Sequence, residues 1–153
     1  MINTTLCYPE KDGKYLMMHR IKKENDVNRD KWIGIGGKFL KGETPTDCAL
    51  REIKEETGLT PTNLVYRGKI NFISDKYPEE MMHLFTATDF FGQLNPNCDE
   101  GELVWVQKSQ VLSLPIWEGD KIFFKLLDDN APFFHLKLVY RENELIEHQI
   151  EFL

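Results

Sequence analysis

The span Gly37–Leu59 constrains the fold of this chain most strongly, because it contains a helix with clear start and stop signals. Thr44 can cap the N-terminus with its hydroxyl, and Pro45 suits the first turn, where its missing N–H is not needed. Asp47 places a negative charge at the positive end of the helix dipole, and Gly58 suits the left-handed position that ends a helix. The sequence therefore predicts an α-helix that runs from Thr44 to Gly58.

Three carboxylates fall close together on this predicted helix. At 100° per residue, Glu52, Glu55 and Glu56 share one arc with Cys48. The adjacent arc carries side chains that can pack on a sheet: Ala49, Leu50, Ile53 and Thr57. Like charges at these spacings destabilise an isolated helix, and a divalent hard cation removes that penalty because it takes oxygen ligands. Glu pairs at this spacing also occur on ordinary solvated faces, so the carboxylates alone leave both interpretations open.

Composition limits the classes of protein to which the chain can belong. Its 153 residues are 41% apolar and 29% charged, which is typical of a globular protein, and we expect residues 1–153 to form a single domain. The net charge of −6 disfavours binding to a nucleic acid duplex or an anionic membrane. The cysteines Cys7, Cys48 and Cys98 form no CxxC pair, and they predict a reduced, cytoplasmic chain. No apolar stretch is long enough to cross a membrane.

The rest of the chain predicts a mixed sheet with helices packed on its faces. A second helix is expected over Trp117–Asp128, where apolar residues recur on one side. The Asp12-Gly13 pair favours a hairpin turn, which we place over Pro9–Lys14. The charged segment Ile21–Lys31 is expected to be an exposed loop, either a lid over a pocket or a solvated connector. Strands are predicted over Thr4–Tyr8, Tyr15–Arg20, Leu64–Ser74, Met82–Asp89, Glu102–Gln107, Phe133–Tyr140 and Leu145–Phe152.

The glutamates of the predicted helix belong to a longer sequence motif. The residues Gly37-x5-Glu43-x7-Arg51-Glu52-Ile53-x-Glu55-Glu56-x-Gly58-Leu59 fill every fixed position of the Nudix box, G-x5-E-x7-R-E-U-x-E-E-x-G-U. With background usage of roughly 5–7% per fixed residue, chance agreement at one start position is on the order of 10⁻⁹. The chain therefore resembles the Nudix hydrolases, which cleave a nucleoside diphosphate linked to another moiety. This resemblance implies an α/β fold, the Nudix α/β/α sandwich around a mixed β-sheet.

Residues outside the box resemble the MutT-type branch of this family, which removes oxidised nucleotides. Trp32–Lys38 is similar to the stretch that leads into the box in that branch. The resemblance implies a Mg²⁺-dependent nucleoside triphosphate pyrophosphohydrolase, with Mn²⁺ as an alternative ion and 8-oxo-dGTP as the expected substrate. Such an enzyme serves DNA repair by sanitising the nucleotide pool. The implied partner is a small nucleotide, and monomer and homodimer both remain open.

The same resemblance implies the residues that carry the reaction. A triphosphate is heavily anionic, so cations must bridge it to the carboxylates, polarise the phosphoryl oxygens and lower the pKa of a bound water. The implied metal ligands are Glu52, Glu55, Glu56, Glu100 and the carbonyl of Gly37. One of these glutamates is the expected base, without a distinction among them. Arg51 is expected to pair with Glu43 and orient Glu52, and Lys38 to contact phosphate.

Base recognition is implied for residues farther along the chain. Phe72 and Trp117 are expected to form stacking walls, Met81 to add an adaptable contact, and Asp120 to bond the purine edge. The chain departs from mammalian members of the branch at two positions, because Ile33 and Gly119 stand where those members carry polar pocket residues. These departures bear on the selectivity for an oxidised purine and leave the box intact.

Two other functions remain open on the sequence. Tyr77 lies 18 residues after Leu59, close to where dinucleoside polyphosphate hydrolases of the family carry a tyrosine. A non-catalytic Nudix domain that senses nucleotides is the other alternative, although such domains usually lose glutamates of the box.

Overall fold

The computed structural model describes residues 1–95 and 98–153. Pro96 and Asn97, which precede Glu100 in the sequence, lie outside the described residues. The strands are β1 (Ile2–Lys11), β2 (Lys14–His19), β3 (Trp32–Ile33), β4 (Leu59–Pro61), β5 (Leu64–Ser74), β6 (Glu80–Ala87), β7 (Phe90–Gly92), β8 (Glu102–Gln107), β9 (Phe134–Arg141) and β10 (Glu144–Phe152). The helices are α1 (Pro45–Thr57), α2 (Glu118–Asp128) and a 3₁₀ helix over Lys108–Ser113.

Most of these strands form one mixed sheet, as the sequence predicts. Its order is β10-β9-β5-β6-β1-β2-β3, and β8 pairs with β2 outside this path. β1 runs parallel to β6 and β5 runs parallel to β9, whereas β1 and β2, β5 and β6, and β9 and β10 are antiparallel. β4 and β7 form a small antiparallel ribbon of their own.

Each face of the sheet carries a hydrophobic core, and neighbouring residues of a strand point to opposite faces. On β1, Cys7 packs in the core on the α1 side, and Tyr8 packs in the core on the α2 side. Phe85 and Leu84 of β6 divide between the same two cores. Each helix adds its own apolar residues: Ala49 and Ile53 from α1, and Phe123, Phe124 and Leu127 from α2. The predicted three-layer α/β/α sandwich is confirmed.

Helix α1 begins and ends where its capping residues predict. The Thr44 hydroxyl accepts the N–H of Asp47 at 3.1 Å, and the Asp47 carboxylate accepts the N–H of Thr44 at 3.1 Å. This reciprocal capping box satisfies two N–H groups that the helix itself cannot pair. Gly58 then ends the helix with a φ of 81°, which side-chain-bearing residues adopt only with strain. The helix that presents the carboxylates is therefore fixed at both ends by local sequence.

Several details differ from the sequence-based expectations. β1 and β6 span Ile2–Lys11 and Glu80–Ala87 instead of Thr4–Tyr8 and Met82–Asp89, and the ribbon of β4 and β7 was not predicted. The turn over Pro9–Lys14 is shorter than predicted, because β1 continues to Lys11 and leaves the Asp12-Gly13 pair as the turn, with φ values of 52° and 74°. Leu50 is 36% exposed and does not join the packing face of α1. Cys48 is fully buried instead, so the buried face of α1 is rotated toward the carboxylates.

Within the described ranges, no helix has the length and apolar character required to cross a membrane.

Candidate active site

Arg51 stands at the centre of a network that joins three glutamates to the loop before α1. Its Nε and Nη2 donate to the two oxygens of Glu43 at 2.7 and 2.9 Å, and Nη1 donates to Glu52 at 2.8 Å and to Glu55 at 3.1 Å. Nη2 also donates to the backbone oxygen of Lys38 at 3.0 Å. The hydrogen bonds from Arg51 lower the pKa of Glu43 to about 2. The predicted Arg51–Glu43 pair and the orientation of Glu52 by Arg51 are both present.

Glu56 points away from Arg51 and faces a second acid. Its Oε2 accepts the N–H of Gly36 at 3.2 Å, and its carboxyl lies within hydrogen-bonding distance of Glu100. Burial raises the pKa of Glu56 to about 10, with further contributions from Glu100 and from the charge of Glu52. Without a cation, Glu56 therefore keeps its proton at neutral pH.

The four predicted carboxylate ligands have two different sets of direct partners. Arg51 draws Glu52 and Glu55 to one side, whereas Glu56 faces Glu100. Among residues 1–95 and 98–153, no three His, Cys, Asp or Glu side chains are gathered closely enough to hold a metal ion together. A cation that takes all four carboxylates as ligands must therefore rotate some of these side chains.

The chemistry of this donor set nevertheless fits a divalent cation. Glu56 and Glu100 bring two acidic groups into contact in a partly buried place, and burial also raises the pKa of Glu52. Carboxylate oxygens are the ligands that Mg²⁺ prefers, and a nearby cation favours the ionised form of each carboxyl group. A cation can thus replace the proton that Glu56 otherwise keeps.

The glycine-rich segment Gly34–Gly37 lies directly against these carboxylates. A Cβ atom on Gly36 would lie 1.8 Å from the backbone oxygen of Thr5, and one on Gly37 would lie 2.5 Å from Oε1 of Glu52. Any larger residue would separate the segment from β1 or displace Glu52. Both glycines are therefore required by close packing.

The predicted metal-ligand carbonyl of Gly37 points toward β1. It accepts the N–H of Thr5 at 2.9 Å and the Cys48 thiol at 3.5 Å. The N–H of the preceding residue, Gly36, points to Glu56 instead. The backbone therefore meets the acidic pair at Gly36 more directly than at Gly37.

Phe72 and Trp117 lie next to each other, as predicted, but their rings are nearly perpendicular. We call this pair of rings the aromatic corner. Their ring centroids are 5.7 Å apart, and the ring planes are inclined by 82°. Tyr140, which the sequence did not single out, meets Trp117 at 5.2 Å and 83°. Perpendicular rings do not form two parallel walls, so a base can stack on one of these rings but not between Phe72 and Trp117 as they lie here.

Asp120 lies next to this aromatic corner, at the start of α2. It is only 7% exposed, and burial raises the pKa of its carboxyl to about 8, against the opposing charge of Lys31. Helix α2 begins without a side-chain cap, so Asp120 does not serve as one. In the described part of the chain, the Asp120 carboxyl makes no hydrogen bond. A buried acid without a partner suits the recognition of a polar group on a ligand.

The structure also places Met81 and Lys38, which were predicted to contact the base and the phosphate. Met82 packs with Phe72 and Trp117 in the core on the α2 side. Because side chains alternate along β6, Met81 points to the opposite face, and its predicted place in the pocket is wrong by one residue. Lys38 is exposed, and its carbonyl accepts Nη2 of Arg51. Its ammonium group makes no hydrogen bond or ion pair with the residues that the structure describes.

The structure shows what surrounds Gly119 and Ile33, the two positions that depart from the family pattern. A Cβ on Gly119 would lie 2.5 Å from Cδ1 of Leu138 and 2.8 Å from the Tyr140 hydroxyl. The N–H of Gly119 donates to that hydroxyl at 2.7 Å, so Tyr140 occupies the space of an acid side chain. Ile33 packs against the core on the α1 side, apart from the aromatic corner.

The predicted loop over residues 21–31 contacts both halves of the site. Arg20 and Lys23 lie 3.6 and 3.8 Å from the carboxylate of Glu100. Asn28 accepts the indole N–H of Trp117 at 2.8 Å, and the Lys31 ammonium lies 5.1 Å from the centroid of that ring. Sequence analysis did not identify these residues, because their partners are distant along the chain.

Known proteins resemble this chain over most of its length. The family model of the NUDIX domain matches residues 4–127. An uncharacterised Nudix hydrolase, YvcI of Bacillus subtilis, is 29% identical over 96% of this chain and 92% of its own length. The mouse oxidized purine nucleoside triphosphate hydrolase is 35% identical over 69% of this chain and 67% of its own length. A crystal structure of a MutT protein from Bacillus halodurans superimposes with a TM-score of 0.88 at 28% identity, covering 99% of this chain and 98% of that one.

Proposed function

Because the chain belongs to the Nudix family of hydrolases, which act on diphosphate linkages, we propose that it hydrolyses nucleoside triphosphates to monophosphates and pyrophosphate. The proposed best substrate is an oxidised purine nucleotide, 8-oxo-dGTP. The observation that carries the proposal is the contact between Glu56 and Glu100 beside Gly36, within a complete Nudix box. Residues 1–153 are proposed to act as one domain.

Nudix hydrolases generally use divalent metal ions, and we propose Mg²⁺, with Mn²⁺ as a substitute, for this chain. The residues proposed to hold the ion are Glu52, Glu55, Glu56, Glu100 and the carbonyl of Gly37, which also accepts the N–H of Thr5. Once bound, the ion neutralises the phosphate charge and lowers the pKa of water.

The chain's own residues supply orientation and proton transfer. Arg51 fixes Glu52 and Glu55 through direct hydrogen bonds, so both carboxylates are oriented before substrate arrives. Glu100 is 36% exposed at its side chain and is the acid proposed to accept the proton of the attacking water. Lys38, exposed at the end of the glycine-rich segment, is proposed to contact phosphate.

Base recognition is proposed for the aromatic corner. Trp117 and Phe72 provide apolar ring faces, and Met82 packs in the same core. The Asp120 carboxyl, buried and raised in pKa, is proposed to bond the purine edge. The similarity to the mouse oxidized purine nucleoside triphosphate hydrolase supports this substrate class.

A ranked substrate screen tests the proposal. Nucleoside triphosphates, dinucleoside polyphosphates and NADH are compared at one low concentration by kcat/KM, with Mg²⁺ and with EDTA. We expect 8-oxo-dGTP to rank first, with pyrophosphate as product and no turnover in EDTA. We expect Glu56→Gln to lower kcat by about 10²–10⁴-fold, because an amide is a weaker metal ligand than a carboxylate.

Other outcomes of the same screen identify the alternatives. A dinucleoside polyphosphate in first place would replace the proposed substrate class. Tight nucleotide binding without turnover under any metal would indicate a nucleotide-sensing domain, and it would refute hydrolysis of triphosphates.

A further inference from the structure

A hydrogen bond connects the segment 20–31 to the aromatic corner. The side-chain oxygen Oδ1 of Asn28 accepts the indole N–H of Trp117 at 2.8 Å, across 89 positions of sequence. Asn28 and Trp117 are both partly buried. The indole N–H is the one polar donor of a tryptophan side chain, so its partner decides how the ring edge is oriented.

Asn28 is itself held firmly in place. Its backbone N–H donates to Oδ1 of Asp26 at 3.0 Å, and the other oxygen of Asp26 accepts Nε of Arg20 at 2.6 Å. The side chains of Arg20 and Asp26 are only 15% and 5% exposed. Backbone bonds from Arg20 to Lys31 and from Asp30 to Arg20, at 3.0 and 2.8 Å, close the base of the segment. The acceptor for Trp117 is thus supported by a second layer of hydrogen bonds.

The other contacts of Trp117 do not involve its indole N–H, which bonds Asn28. Phe72 and Tyr140 meet the ring nearly at right angles, and the Lys31 ammonium lies over its face. These three contacts are apolar or electrostatic and depend less on direction than a hydrogen bond does. The hydrogen bond to Asn28 is directional and therefore specifies the orientation of the ring edge.

We propose that Asn28 is a positioning residue for base recognition, which holds the Trp117 ring in the orientation that a nucleotide base stacks on. The proposal rests on the proposed function, because it assumes that Trp117 contacts the base. Stacking on a preoriented ring strengthens the ground state and the transition state alike, so losing Asn28 raises KM and leaves kcat nearly unchanged.

Three substitutions separate the hydrogen bond from the space that Asn28 fills. Asn28→Leu keeps the volume and removes the acceptor, whereas Asn28→Asp keeps an acceptor oxygen. Asn25→Leu, in the same segment but exposed, serves as the matched control. We expect Asn28→Leu to raise KM for purine nucleotides by about 3–10-fold, the worth of one hydrogen bond, with Asn28→Asp and Asn25→Leu close to the parent protein.

A spectroscopic measurement reads the hydrogen bond without catalysis. The indole N–H resonance of Trp117, identified by its loss in Trp117→Phe, is followed for exchange with solvent in metal-free protein. We expect exchange to accelerate in Asn28→Leu and to stay slow in Asn28→Asp. Faster exchange with an unchanged KM would show that Asn28 supports the fold only, and unchanged exchange would show that the bond is not formed; either result overturns the proposal.

Failure of the proposed function has a different signature. If the parent protein hydrolyses no nucleotide, the function is refuted, and Asn28 is judged by the dissociation constant of 8-oxo-dGMP from quenching of tryptophan fluorescence. A larger dissociation constant in Asn28→Leu alone then supports the positioning role. Equal dissociation constants in all variants overturn it.

Discussion

Replacing Glu56 by glutamine is expected to stabilise the metal-free protein while removing its activity. The folded protein keeps the Glu56 proton up to about pH 10, whereas the ordinary value, which applies to the unfolded chain, is 4.5. Stability from this group is therefore complete below pH 4.5 and falls as the pH rises toward 10, because only the unfolded chain releases the proton. The amide of Gln can still accept the N–H of Gly36 and can donate to Glu100, and it has no proton to lose.

The size of the effect follows from the pH interval. Each pH unit above 4.5 contributes at most ~1.4 kcal/mol, so at pH 7 the upper limit is about 3 kcal/mol. Side-chain rearrangement lowers this limit, and we expect Glu56→Gln to exceed the parent protein by about 1–3 kcal/mol in free energy of unfolding at pH 7. Near pH 4.5 the two proteins should be equally stable.

Urea denaturation in EDTA, followed by circular dichroism from pH 4.5 to 8, measures this difference. Glu55→Gln is the matched control, because Glu55 is 59% exposed at its side chain and contacts Arg51 rather than Glu100. Its effect should stay within about 0.5 kcal/mol at every pH. Saturating Mg²⁺ should stabilise the parent protein more than Glu56→Gln, since a bound ligand stabilises the state that binds it. A difference that does not change between pH 4.5 and 8 would refute the assigned environment of Glu56.

Three further outcomes are expected from the structure. Arg51→Met should lower the free energy of unfolding at pH 7 in urea denaturation, and the loss should shrink as the pH falls from 4.5 toward 2, where Glu43 becomes protonated and the pair is lost in the parent protein too. An equal loss at pH 7 and at pH 2 would contradict the network. Gly119→Asp should not restore an acid to the base site but should destabilise the protein by about 1–3 kcal/mol, because its Cβ meets Leu138 and Tyr140. Gly42→Asn is the control in the same melting experiment and should cost less, because its Cβ meets none of the described atoms and only the strain of the left-handed backbone opposes it. Asp120→Ala should reduce the preference in kcat/KM for guanine-type over pyrimidine nucleotides by roughly 10–150-fold, and an unchanged ranking would remove Asp120 from the site.

Local sequence predicted the parts of this protein that depend on near neighbours. Helix α1 is confirmed from Thr44 to Gly58, because its caps and its glycine stop are each decided within a few residues. The Arg51–Glu43 pair was implied by the resemblance to the Nudix family, and the structure contains it. Leu64–Ser74 and Glu102–Gln107 are confirmed to the residue for a similar reason, since turn residues bound them.

The geometry of contacts between distant segments could not be predicted from local patterns. The pairing of β6 with β1 decides which face each methionine takes, and one step of register separates Met81 from Met82. The perpendicular meeting of Phe72 and Trp117 depends on how α2 packs against β5, which no local pattern encodes. The bond from Asn28 to Trp117 depends on tertiary structure for the same reason.

The placement of the two helices imposes a requirement on any nucleotide that this site binds. The carboxylates Glu52 and Glu56 belong to α1, on one side of the sheet, whereas Trp117 and Asp120 begin α2, on the other side. A substrate that uses both groups must have its phosphates on one side and its base on the other. The segment 20–31 contacts Glu100 through Arg20 and Trp117 through Asn28, so one element of the chain touches both ends of the proposed site. Displacing it should therefore alter base affinity and the environment of Glu100 together, whereas a change confined to α1 should alter catalysis alone.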